Sequence, residues 1–152
     1  KRGAGYDAKE LLASLQRVMG LDPPPSLVLV GVGRLGRALL ESGIPGGPYR
    51  FTAAFDSDGR KTGRRIGGVR VRPPREMSSE FEGRSHMMIA VIAVGEGRLQ
   101  EAVCSLAAGG CRWALSFTLE PVEVPEGMTL RYMEIATELD LLARMMQRKA
   151  GG

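Results

Sequence analysis

The chain has 152 residues, 43% of them apolar and 25% charged, with a net charge of +4 and a pI near 9.4. These totals predict one soluble domain with enough chain for a proper core, and they exclude a membrane span, because no run approaches the ~18 apolar residues one needs. The arginines are dispersed, which suits anionic ligands better than direct contact with DNA. No charged, apolar, small-residue leader opens the chain. It begins Lys1-Arg2-Gly3 without an initiator Met, as expected of a fragment.

Residues 1–6 have no periodicity and read as an arm. Asp7 is placed as an N-cap, with Glu10 completing a capping box. Leu11, Leu12, Leu15, Val18 and Met19 follow at helical spacing and predict an amphipathic helix to about Met19. Gly20 and Pro23–Pro25 stop it. Ser26–Leu40 then reads SLVLVGVGRLGRALL. Leu27–Val30 suits a strand buried on both faces. Leu35, Leu39 and Leu40 share one face of a helix that Gly43 is placed to end. Between strand and helix stands G-x-G-x-x-G, at Gly31, Gly33 and Gly36. In that setting the motif predicts a pyrophosphate site. Gly31 permits the turn, Gly33 leaves the backbone bare, and Gly36 lets helix and strand pack closely. The helix N-terminus adds unpaired N–H groups and partial positive charge.

Residues 43–48 predict a loop and Phe51–Phe55 a second strand. Asp56 follows, 20 residues after Gly36. An acid at that spacing accepts hydrogen bonds from ribose hydroxyls and repels a 2′-phosphate, favouring NAD over NADP. The alternative is a simple polar turn of Asp56 and Asp58. Arg60, Lys61, Arg64 and Arg65 follow, suited either to a 2′-phosphate or to a solvated loop. Val69–Val71 predicts a short strand, and residues 75–82 a weak helix. Met87–Val94 is the most apolar run and predicts a central strand. Leu99, Ala102, Val103 and Leu106 predict a helix ending at Gly109-Gly110. Strands are expected at Trp113–Phe117 and Thr129–Met133, and a helix at Ile135–Lys149. Ile135, Leu139, Leu142 and Met146 share one face of that last helix, widened by Leu141 and Met145. So apolar a face suggests burial against a partner, with packing on its own domain as the alternative. Alternating strands and helices predict an α/β, doubly wound, mostly parallel sheet (a Rossmann fold), with ligand at the carboxyl ends of the strands.

No acid–base constellation is evident, so an enzyme is not expected. His86, the only histidine, begins the expected central strand and suits a strand-end role. Cys104 and Cys111 lack metal-ligand spacing and are expected to be free thiols in a reducing cytoplasm. Cys111, beside a strand, is expected to be the more reactive. Binding without turnover fits this length better than hydride transfer.

The stretches KRGAGYDAKELLASLQ, LVGVGRLGRALL, AAFDSD, IGGVRV, VPEGM and IATELDLLA occur in that order over nearly the whole chain. Together they resemble the Rex family of redox-sensing transcriptional repressors. The resemblance implies a Rossmann domain that binds NADH or NAD⁺. It implies a homodimer with a swapped C-terminal helix, and DNA binding only through a winged-helix domain missing from this chain. Residues 1–22 would be an arm and helix, 23–133 the dinucleotide-binding domain, and 134–152 the swapped helix. Gly31, Gly33, Arg34, Leu35 and Gly36 match the pyrophosphate loop, and Asp56 the ribose acid. Departures lie on the nicotinamide side. The family's Thr-Val-Pro reads Ala93-Val94-Gly95, and its Asn-Phe-Ala-Pro reads Ser116-Phe117-Thr118-Leu119. A tyrosine of some members is Ser42. The switching aspartate is Glu134, and its aromatic neighbour is Ile135. Those departures motivate an alternative ligand, an adenine nucleotide or coenzyme A held without redox sensing.

Overall fold

Leu27, Val28, Leu29 and Val30 are all buried, as a strand with neighbours on both sides and helices on both faces requires. They form β1, Ser26–Val30, at the centre of a seven-stranded sheet. The computed structural model describes residues 8–20 and 23–150. The arm at 1–6 and the Asp7 cap lie outside them. The first helix is α1, Ala8–Val18, and β1 is followed by α2, Arg34–Ser42. Next come β2, Arg50–Phe55, β3, Arg65–Ile66, and β4, Val69–Arg72. Then follow α3, Met77–Phe81, β5, Met88–Ile92, and α4, Leu99–Ala108. The chain closes with β6, Trp113–Ser116, β7, Thr129–Tyr132, and α5, Ile135–Ala150.

The sheet order is β3-β4-β2-β1-β5-β6-β7, with every neighbouring pair parallel except β3 and β4. From β1 the chain winds outward one way through β2 and β4, and the other way through β5, β6 and β7. The direction reverses between β1 and β5. This is the doubly wound Rossmann arrangement expected, and its switch point is where such sheets open a crevice. Val30 pairs in register with both Phe55 and Ile92. The three central strands therefore end level, and Gly31, Asp56 and Ala93 emerge side by side.

Two buried clusters flank the sheet. One joins Val28, Phe55, Ala90 and Ile92 to Met77 and Phe81 of α3 and Leu99, Val103 and Leu106 of α4. The other joins Leu27, Leu29, Ala54, Val71 and Val91 to Leu39 and Leu40 of α2. This second face is thinly covered beyond β1. Ile89 and Leu115 are half-buried there, and Trp113, which by alternation shares that face, is 49% exposed. Within the single chain the apolar residues of α1 and α5 also face solvent. Ile135, Leu139, Leu141, Leu142, Met145 and Met146 are all exposed.

Three local expectations change. Arg65–Ile66, expected in a loop, forms an antiparallel edge strand, because Gly67-Gly68 turns the chain back with both φ positive. The weak helix at 75–82 is a 3₁₀ turn, Pro74–Glu76, running into α3. The central strand starts at Met88 and ends at Ile92, so His86 lies in the 3₁₀ turn Ser85–Met87 before it. Ala93 and Val94 are left in the loop at its carboxyl end.

Candidate functional site

The three glycines of the turn have separate physical reasons. Gly31 takes φ +94°, and a Cβ there would lie 2.6 Å from the Ala93 carbonyl oxygen. At Gly36 a Cβ would stand 2.0 Å from the Gly31 carbonyl oxygen. Both are glycine because the fold leaves no room. Gly33 is different: it has ordinary φ −79°, and a Cβ would meet nothing within 4 Å. Nothing in the chain requires glycine at 33, yet it borders the crevice. It is also the N-cap of α2, makes no side-chain cap and has no acid in the turn that follows. The first N–H groups of α2 are thus left for an anion approaching over a bare backbone.

Asp56 faces that turn from the end of β2. Its Oδ2 accepts the Val32 N–H at 2.7 Å and the Lys61 ammonium at 3.0 Å, and its Oδ1 accepts the Asp58 N–H at 2.8 Å. The carboxylate side chain is 9% exposed. Burial pushes its carboxyl up, but the Asp58 amide, the Lys61 ammonium and the Val32 amide outweigh burial and hold it below its ordinary value. Both readings of Asp56 and Asp58 are therefore present in one place. They form a polar turn, and that turn presents an ionised carboxylate beside the glycine loop. Lys61, expected on a 2′-phosphate or in solvent, is instead paired with Asp56.

A cavity of 270 Å³ opens at the carboxyl ends of β1, β2 and β5. Gly31, Gly33, Asp56, Ala93 and Val94 line it, together with Ser57, Lys61 and Gly95. It runs on between Pro74 and Met77 on one side and Arg98, Glu101, Ala102 and Ser105 of the α4 region on the other. Periodicity could show that these last four share a helix face, but not that the face fronts the crevice. The pairing of strands decided that.

The other expected site residues fall elsewhere. Arg34 and Leu35 are exposed on the first turn of α2 and do not line the cavity. Gly36 is buried under the turn. Phe117 packs half-buried on the α2 side of the sheet. Glu134 lines a second cavity, of 240 Å³, with Leu119, Glu120, Pro121 and Tyr132. Ser116 is fully buried: its hydroxyl donates to the Thr118 carbonyl at 2.9 Å and accepts the Thr118 N–H at 3.0 Å. The Thr118 hydroxyl donates to the Val94 carbonyl at 2.6 Å, tying the loop after β6 to the loop after β5. The Glu120 carboxylate adds a second tie, to the Gly97 N–H. The exposure of the cysteines runs against the expected order of reactivity. Cys111 is buried, and burial pushes its thiol up, whereas Cys104 is exposed on α4. Among the described residues no group of His, Cys, Asp and Glu is placed to hold a metal, and no helix is long and apolar enough to cross a membrane.

A family model described as a CoA binding domain matches residues 23–119. The redox-sensing transcriptional repressor Rex of Streptomyces avermitilis is 34% identical over 99% of this chain and 60% of its own length. The Rex of Pelotomaculum thermopropionicum is 30% identical over 97% of this chain and 70% of its own. This chain thus spans about 60% of the Streptomyces relative. Among solved structures, RSP, a Rex-family repressor, matches in complex with β-NADH (TM-score 0.73) and in complex with β-NAD⁺ and operator DNA (TM-score 0.71). Both are 20% identical, covering 96% and 99% of this chain and 71% and 69% of those chains, a likeness of fold. With its CoA-binding-type Rossmann core and these relatives, the chain belongs to the Rex family of redox-sensing transcriptional repressors.

Proposed function

We propose that this chain is the NAD(H)-binding sensor domain of a Rex-type repressor and binds dinucleotide without turning it over. The observation that carries the reading is Gly33, a bare N-cap whose missing side chain no neighbour requires, lining one crevice with an ionised Asp56. The backbone of Gly31, Gly33, Arg34 and Leu35, with Gly36 seating the helix, holds the pyrophosphate. Asp56 accepts the adenosine ribose hydroxyls. Ala93 and Val94 line the way towards the nicotinamide, with Phe117 and Glu134 beyond. The bound dinucleotide supplies a ring whose charge differs between its two redox forms. The protein's part is to hold one form better in one dimer arrangement, since affinity without that difference shifts no population.

The sensor works as a cytoplasmic homodimer. Residues 134–152 swap onto the partner, where their apolar face covers the second face of β5–β7. Support comes from the matched deficits: an exposed apolar α5 and an under-covered sheet face in the same chain. Residues 1–22 lead from a winged-helix domain that carries the DNA contacts, and 23–133 form the dinucleotide-binding unit. A second reading draws on the family model's description: coenzyme A, or an adenine nucleotide, would use the same glycine turn and Asp56. Calorimetric titration with NADH, NAD⁺, NADPH, coenzyme A and ADP separates the two. We expect NADH to bind at least ~10-fold tighter than coenzyme A, about 1.4 kcal/mol. Equal affinity for all five would overturn the redox reading.

A further inference from the structure

Arg98 stands at the N-cap of α4, and its guanidinium reaches 41 residues back along the chain. Nη2 donates to the Ser57 hydroxyl at 2.8 Å. Ser57 is the residue next to the ribose acid, so this single contact joins the two walls of the 270 Å³ cavity beyond Asp56. Among the described residues only Glu101 answers the Arg98 charge, at 3.7 Å and with a 74% exposed side chain. The Arg98 side chain is itself 53% exposed. The guanidinium is therefore weakly held and sits at the mouth of the slot.

The slot's chemistry suits a flat, uncharged base. Phe55, Pro74, Met77 and Ala102 supply apolar walls, and Ser105 a hydroxyl. The proposed pyrophosphate end is at Gly31 and Gly33, which line the same cavity at the end of β1. A ribose seated on Asp56 thus directs its base away from the glycine turn and into this slot. A planar cation at the mouth of a slot for an aromatic base stacks on that base, as a guanidinium does on aromatic faces generally.

We propose that Arg98 is the residue that holds the adenine: its guanidinium leaves Ser57 and closes over the base once ligand is seated. The inference rests on the NAD(H) reading. Arg98 touches no pyrophosphate and no nicotinamide in this scheme, so its effect follows the adenine alone. Ser57 parks the guanidinium in the free protein and competes with the base for it.

The test is calorimetric titration of the full chain and its R98A, R98K and S57A variants with NADH, AMP and reduced nicotinamide mononucleotide. AMP and the mononucleotide each carry one ribose and one phosphate and differ in the base. R98A is expected to weaken NADH and AMP by the same factor, about tenfold, and to leave the reduced mononucleotide unchanged. R98K keeps the charge without the plane and should recover little of that loss. S57A should bind NADH and AMP slightly tighter. Thermal unfolding of each variant separates loss of binding from loss of fold. Equal weakening of all three ligands by R98A would mean a phosphate contact and overturn the adenine role. Unchanged binding would overturn it too. If the unsubstituted chain bound AMP but no NADH, the dinucleotide reading would fall while an R98A loss on AMP still upheld the adenine role.

Discussion

Lys61 and Asp56 share one oxygen with the glycine turn: Oδ2 of Asp56 takes the Lys61 ammonium at 3.0 Å and the Val32 N–H at 2.7 Å. Asp56, proposed to take the ribose, thus also pins the turn to the end of β2, and a cation shields it. That cation tempers the repulsion by which an acid here rejects a 2′-phosphate. Lys61→Ala is expected to widen the preference for NADH over NADPH by about tenfold, mostly through weaker NADPH. Parallel titrations of the variant with both cofactors check this, and an unchanged ratio would remove the shielding role. Asp56→Ala removes the proposed ribose contact and one turn tie together, and should weaken NADH by at least about tenfold.

The glycine triplet separates fold from binding. Gly33→Ala should keep the thermal midpoint within a few degrees, because its Cβ enters open space. It should still cost dinucleotide affinity by ~10-fold or more, since that space is the proposed path of the phosphate. Gly31→Ala and Gly36→Ala should destabilise by about 3 kcal/mol or more, from the Cβ contacts and, at Gly31, positive φ. Denaturant melts beside NADH titrations distinguish the two classes. A Gly33→Ala chain that binds normally would sink the pyrophosphate assignment.

Acid should act through Asp56. Its folded carboxyl lies below the ordinary 3.8, so the ionised form is favoured in the native state. The resulting stability is fully present above 3.8 and is lost as pH falls through the lower folded value. The difference in unfolding free energy between the unsubstituted chain and Asp56→Asn should stay flat from about pH 7 to 5 and shrink below 3.8. A gap that shrank between pH 7 and 5 would contradict the direction of the shift.

The face of α5 predicts assembly. Burying the remainder of each of Ile135, Leu139, Leu141, Leu142, Met145 and Met146 contributes about 1 kcal/mol per side chain. Paired Leu139→Glu and Leu142→Glu substitutions, or removal of 134–152, should turn a dimer into a monomer by sedimentation velocity. A dimer that survived both would place the interface elsewhere.

Thiol labelling should discriminate the two cysteines. Cys104, exposed, should react with an alkylating reagent in the native chain. Cys111, buried and with its thiol pushed up, should wait for denaturant. Peptide mass mapping after timed labelling reads the order directly.

Much of this was legible in the residues. Leu27–Val30, the glycine spacing and the positions of Leu39 and Leu40 specify strand, turn and helix through local rules: period, β-branching and backbone freedom. The apolar run of β5 and the stripe of α5 were equally plain. Arg65–Ile66 was not, because a two-residue strand has no period and exists only through its pairing with Arg70 and Val69.

By itself, then, the sequence determined the order of the main elements, the glycine turn after β1 and the acid that follows β2. These depend on residue type and short spacing. Tertiary structure decided what stands beside what. Only the register of Val30 with Phe55 and Ile92 brings Gly31, Asp56 and Ala93 level. Only the crossover from β5 to α4 sets Arg98 against Ser57, and only packing buries Cys111. Contacts between residues distant in the chain follow from how strands pair and helices pack, and no local pattern encodes them.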